Sequence, residues 1–264
     1  MRSGKIGRAA VIVMAAVFFT CGSRGDEQPL VILAAASLSA PLDSIITGFK
    51  TETGATVHVA YGGSGTLAQQ IRSGVAAHLY LSADVAWIER LASAQEGFVS
   101  SWRTILSNRV VVVTAVDNDV ELSRLEDLAD ERFRRVAIPD PELAPAGWYA
   151  RAALERIGLY ERLRTRLVPT DDVGAAAAAV RFGVVDVGIV YVTDAQAYAD
   201  LRVLLVIPDS LHPPIRYGVA TLAEAEACRW TDEFLAHLRR PATEAIFKAA
   251  GFIVAVDSAG VEIR

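Results

Sequence analysis

Cysteine is almost absent: a chain of 264 residues carries two, Cys21 and Cys228. If Cys21 lies in a removed leader, no intramolecular disulfide can staple the fold, and stability must come from a buried core. Cys228 then reads as a small buried apolar residue within an expected helix, Glu224 to Leu238. Histidine is equally sparse, and His58, His78, His212 and His237 show no metal-ligand spacing with each other or with a cysteine. A metal-centred mechanism is disfavoured. No segment reaches the roughly 20 apolar residues of a spanning helix. Neither sign of charge is concentrated, for the net charge of −5 is dispersed along the chain. Nucleic acid is therefore not an expected partner. Repeats and low-complexity tracts are lacking as well.

What is present begins with an export leader. Arg2, Lys5 and Arg8 precede the apolar run Ala9 to Phe19, and small and polar residues follow. Residues 1–25 are expected to be a signal peptide. Cleavage is expected near Thr20 and Gly22 or near Ser23 and Gly25. Acylation at Cys21 is the rival, although Phe18-Phe19-Thr20 makes a poor lipoprotein motif. About 240 residues remain, enough for one large domain or two smaller ones.

The chain is organised around Tyr61-Gly62-Gly63-Ser64-Gly65-Thr66-Leu67, which joins the strand-like Thr56 to Ala60 to a helical pattern through Leu67, Gln70 and Ile71. Glycines free the backbone, and Ser64 and Thr66 offer capping hydroxyls beside the orphan N–H donors of the first turn. Such a terminus favours an oxyanion. A loop of this kind also serves as a plain connection, so its meaning depends on whether other helix starts converge on it.

Several do. Leu30 to Ala36 is a wholly apolar strand, which implies a sheet covered on both faces and hence an α/β fold. Ser37 follows at its carboxyl end, where a helix through Ile45, Ile46 and Phe49 opens. His78 to Ser82 reads as a strand, Asp84 to Leu91 as a helix, and Arg109 to Val116 as a second buried strand. A change of body is expected after it, with a weak helix over Leu122 to Leu128. Pro145 cannot donate, so Ala146 and Gly147 present their N–H groups where a helix expected over Trp148 to Ile157 begins. Asp172 caps an alanine-rich helix that begins at Val173 and runs through Arg181. Asp186 to Tyr191 is a strand ending in a hydroxyl. After Val203 to Pro208 and Ile215 to Ala220 the chain ends in two helices. Two α/β lobes joined by at least two crossovers would place these helix starts around one cleft, the usual location of a small-ligand site.

These donor positions resemble those of the periplasmic molybdate-binding proteins of ATP-binding-cassette importers. The likeness is carried by Ala34-Ala35-Ala36-Ser37-Leu38, Gly63-Ser64-Gly65-Thr66-Leu67, Leu81-Ser82-Ala83-Asp84, Pro139-Asp140-Pro141, Pro145-Ala146-Gly147, Asp172-Val173 and Gly188-Ile189-Val190-Tyr191. It implies a two-lobed, type II periplasmic-binding-protein fold, each lobe a mostly parallel sheet flanked by helices. Residues 29–109 with 215–264 would form one lobe and 110–214 the other. It further implies that molybdate or tungstate is held without cofactor and without direct coordination of the metal. The contacts would be neutral hydrogen bonds from Ser37, Ser64, Ala146, Val173 and Tyr191. The implied partner is the membrane permease of a molybdate importer, and the protein is expected to be a monomer. His78 and Gly62-Gly63 depart from the family pattern without touching these five positions. Sulfate is an alternative ligand. A serine hydrolase built on Ser64 is the alternative class, disfavoured because Thr66 replaces the last glycine of G-x-S-x-G and no histidine has a base's context.

Overall fold

The computed structural model describes residues 28–94, 97–223 and 228–254. The expected leader, with Cys21, lies outside them. The chain opens with β1 (Leu30–Ala35), a one-turn 3-10 segment (Ala36–Leu38), α1 (Ser39–Thr53), β2 (Val57–Gly62), α2 (Ser64–Arg72), β3 (Leu79–Ser82) and α3 (Val85–Ala92). It continues through β4 (Val99–Ser107), β5 (Val110–Ala115), a 3-10 turn (Leu125–Ala129), β6 (Val136–Pro139), α4 (Pro145–Arg156), α5 (Tyr160–Leu163) and β7 (Leu167–Thr170). Next come α6 (Val173–Arg181), β8 (Val187–Tyr191), α7 (Val192–Ala197), β9 (Leu201–Val206), β10 (Tyr217–Leu222), α8 (Trp230–Leu238), α9 (Pro241–Ala249) and β11 (Ile253–Val254).

Two sheets form, of six strands in the order β11-β4-β10-β3-β1-β2 and of five in the order β7-β6-β8-β5-β9. The chain passes between them twice, at Asn108–Arg109 and over residues 207–216. Sequence reasoning expects mostly parallel sheets, whereas both are mixed. Parallel pairing is confined to β1 with β2 and β3, and to β6 with β7 and β8. Each of those pairs arises through helical crossovers, which a parallel strand requires. Every antiparallel pair instead includes β4, β5 or β10, the strands that adjoin a passage between sheets.

The apolar runs behave as their composition demands. In β5, Val110, Val111, Val112 and Val113 are fully buried, because helices cover both faces of the sheet. Helix α1 turns Leu42, Ile45, Ile46 and Phe49 inward, and the Phe49 ring meets Trp230 and Phe234 edge-on at 6.3 and 5.1 Å. Such aromatic burial contributes roughly 1.5–3 kcal/mol per side chain. Three local expectations need correction. The weak helix near Leu122 is a short 3-10 turn that starts at Leu125. Helix α8 begins at Trp230, leaving buried Cys228 ahead of it with Sγ 3.7 Å from the Gln28 carbonyl. The change of body expected after Val116 comes earlier, at Asn108–Arg109, because β5 already belongs to the second sheet, and strand β4 has no counterpart in the sequence reading.

Candidate functional site

The carboxyl ends of β1, β2, β6 and β8 face one another across the two sheets, and a small cavity lies between them. Its wall includes all five residues singled out from the sequence: Ser37, Ser64, Ala146, Val173 and Tyr191. The free volume is ≈ 10 Å³, about one water-sized sphere. The cavity is nearly closed in this structure.

Backbone donors come from helix starts. Ala146 is the second residue of α4 after Pro145, and Val173 is the first of α6, so their N–H groups have no acceptor within their own helices. Helix α4 can approach so closely because residue 147 is glycine: a Cβ there would fall 1.8 Å from the Pro139 carbonyl oxygen. Asp172 is the only charged residue in the wall, and its Oδ1 accepts the N–H of Ala175 at 2.9 Å. It is the helix cap that the sequence suggests.

The hydroxyls are less simply placed. Sequence reasoning casts Ser64 and Thr66 as caps, yet Gly63 caps α2 with no side-chain bond. Ser64 Oγ instead accepts the N–H of Ala83 at 3.0 Å, while its carbonyl accepts from Tyr80 Oη at 2.7 Å. Ser37 likewise caps nothing; it lies in the 3-10 turn with Oγ 2.9 Å from Tyr217 Oη. Tyr191 Oη is buried with no hydrogen-bond partner. An orphaned hydroxyl in such a place costs about 1–3 kcal/mol, which a ligand oxygen would recover. Burial, then the neighbouring tyrosines, push its pKa well above the ordinary value, so it stays a neutral donor.

Sequence reasoning missed what surrounds these groups. Asn108 Nδ2 donates to Tyr217 Oη at 3.1 Å and to Thr193 Oγ1 at 3.0 Å. Burial raises the pKa of Asp84 and of Tyr149 of α4, and the negative charge of Asp84 pushes that of Tyr149 further up. His78, a departure from the family pattern, is buried and accepts the Val31 N–H on Nδ1 at 2.9 Å, bracing β1 rather than touching the cavity.

Residues 30–253 match the family model described as "Bacterial extracellular solute-binding protein". The chain belongs to the bacterial extracellular solute-binding protein family. Within this family it is 34% identical to the Molybdate-binding protein ModA of Escherichia coli (strain K12), over 87% of this chain and 90% of that one. The solved periplasmic molybdate-binding protein of Azotobacter vinelandii superposes with a TM-score of 0.75 at 25% identity, over 86% of this chain and 100% of that one. The sulfate-binding protein SubI from Mycobacterium tuberculosis H37Rv shares the fold, with a TM-score of 0.72 at 17% identity over 86% of each chain. The family description is of extracellular solute-binding proteins, and among the described residues no helix is long and apolar enough to cross a membrane.

Proposed function

We propose that this protein binds molybdate, and tungstate equally, in the cavity between its sheets, and delivers it to the membrane permease of an ATP-binding-cassette importer. The observation that carries this reading is Tyr191 Oη, a buried hydroxyl without a partner, on a residue that lines the cavity together with Ser37, Ser64 and the helix starts at Ala146 and Val173. Burying a dianion without a countercharge is tolerable when its oxygens are hydrogen-bonded and helix dipoles point inward. Those five groups are its contacts, and the metal is held only through its oxygens.

The two sheets are the cores of two lobes, 29–109 with 215–264 and 110–214, which close by hinging at the two passages. The protein acts as an exported monomer, freed by cleavage after its leader or anchored through Cys21. The hydrolase reading has no support in the surroundings of Ser64, whose Oγ is bonded to a backbone N–H rather than to a histidine or lysine.

All five contacts are donors, so a protonated oxyanion would leave its own O–H unpaired, at about 1–3 kcal/mol. Sulfate has no such proton but is smaller. Competitive calorimetry at pH 7 tests the assignment: molybdate and tungstate bind alike, sulfate more weakly and phosphate poorly. Phosphate binding as tightly as molybdate would show an acceptor in the cavity and refute the assignment.

A further inference from the structure

Two residues outside the cavity wall decide which way the Ser37 proton points. Asn108 lies between β4 and β5 and is buried, and its carboxamide orientation follows from its neighbours. Oδ1 receives the N–H of Arg109 at 2.8 Å, and because a backbone N–H can only donate, the amide nitrogen must occupy the opposite side. There Nδ2 spends its two hydrogens on Thr193 Oγ1 and Tyr217 Oη. Tyr217 Oη therefore accepts from Asn108, and its other partner is Ser37 Oγ at 2.9 Å. If Tyr217 accepted from Ser37 too, its own O–H would be a buried donor with no acceptor, so it donates to Ser37. With that bond received, the single proton of Ser37 is left for the cavity that Ser37 lines.

We infer that Asn108 and Tyr217 are positioning residues that present the Ser37 proton to the cavity as a hydrogen-bond donor, and that they thereby set selectivity against protonated oxyanions, which would leave that proton without an acceptor. Ser64 follows a similar pattern by a different route, since its Oγ receives the Ala83 N–H and its single proton, with no acceptor spent on it, is left for the cavity. The site thus has one polarity at both serines, enforced from outside the cavity. This inference rests on the oxyanion-binding reading above.

The test compares affinities for molybdate and for hydrogen phosphate at pH 8, where both are dianions and differ in carrying a proton. Asn108→Asp keeps the shape and the acceptor for Arg109 but turns the amide donor into an acceptor. Tyr217 then donates to residue 108 and accepts from Ser37, whose lone pair now faces the ligand. The added charge weakens both dianions similarly, so the ratio of affinities isolates the proton. Tyr217→Phe breaks the same chain with no change of charge and without removing the aromatic packing. By calorimetry the ratio favouring molybdate falls about tenfold in each variant, the scale of one unsatisfied buried group, with melting curves showing that both remain folded. A ratio that stays at the wild-type value in Tyr217→Phe overturns the relay, and it does so even if Asn108→Asp fails to fold. Wild-type protein that binds no molybdate would instead overturn the underlying reading.

Discussion

The backbone N–H of Gly65, in the first turn of α2, donates to the carbonyl oxygen of Leu143 at 2.7 Å, joining a helix of the first sheet to the loop after β6 of the second. A Cβ at residue 65 would lie 2.6 Å from that same oxygen and 2.6 Å from Trp87 Cζ2. The partly exposed indole can swing aside, whereas the carbonyl is backbone. Gly65→Ala should therefore oppose closure while slightly favouring the helix, where alanine is preferred over glycine by roughly 0.5–1 kcal/mol. The unliganded protein is expected to melt at or above the wild-type temperature and to lose most of the stabilisation that molybdate confers on the wild type. Small-angle scattering with and without molybdate checks the cause: the wild type contracts and the variant does not.

Removing one donor at a time separates the three hydroxyls. Ser37→Ala, Ser64→Ala and Tyr191→Phe each delete a hydrogen bond to a charged acceptor, worth roughly 1.5–3 kcal/mol, or one to two decades of affinity. Tyr191→Phe should in addition stabilise the unliganded protein, because it abolishes a buried hydroxyl without a partner. Ser64→Ala should destabilise it, because the Ala83 N–H loses its acceptor. Titration calorimetry and thermal melts on the same three samples measure both quantities, and a Tyr191→Phe variant of wild-type affinity would remove that residue from the site.

Asp194 gives the protein a predictable response to pH. Burial raises its carboxyl pKa to about 7 despite the bond it accepts from the Tyr191 N–H, and the charge of Asp172 adds to the effect. In the unfolded chain the same group titrates near 4, about the usual aspartate value. The folded state thus holds the proton more tightly, and this contribution to stability, complete below about pH 4, is lost as pH rises through about 7. Melting temperature is expected to fall over that window on account of this group, by an amount corresponding to a few kcal/mol. Asp194→Asn keeps an acceptor for Tyr191 and should flatten the profile, melting above the wild type at pH 8. Parallel slopes for the two proteins would exclude Asp194 as the cause.

Gly147 is a requirement of packing. A methyl at this position would meet the Pro139 carbonyl at 1.8 Å and its carbon at 2.6 Å, both backbone atoms that cannot turn away. Gly147→Ala must push α4 off β6, taking the Ala146 N–H with it. Expected outcomes are a lower melting temperature and a loss of molybdate affinity greater than from any single hydroxyl deletion, read by melting and calorimetry together.

What the sequence reveals follows from how local each cause is. The apolar runs Leu30 to Ala35 and Val110 to Val113 declare buried strands because burial on both faces leaves no polar position in between. Helix starts at Pro145 and Val173 are legible because Pro145 and Asp172 carry their own capping chemistry. All five residues that the family resemblance implies line one cavity, each at or beside an element boundary, although the caps expected of Ser37 and Ser64 do not form. Strand β4 is hidden because Val99 to Ser107 shows neither a continuous apolar run nor a clean alternation of burial. The hydroxyl partners are hidden for a different reason. Asn108 and Tyr217 are 109 residues apart, and nothing local to either shows that they meet.

The paired passages between the sheets have a mechanical consequence. A single connecting strand would let the two bodies swivel about several axes. Here one connector carries Asn108, and the other leads straight into Tyr217, and their side chains are bonded at 3.1 Å. Fastened edge to edge, the two straps behave as a ribbon, stiff to twisting and soft to bending in one plane. On the hinging proposed above, opening and closing would then run along one coordinate, and the position of the outer rims would report on whether the cavity between them is filled.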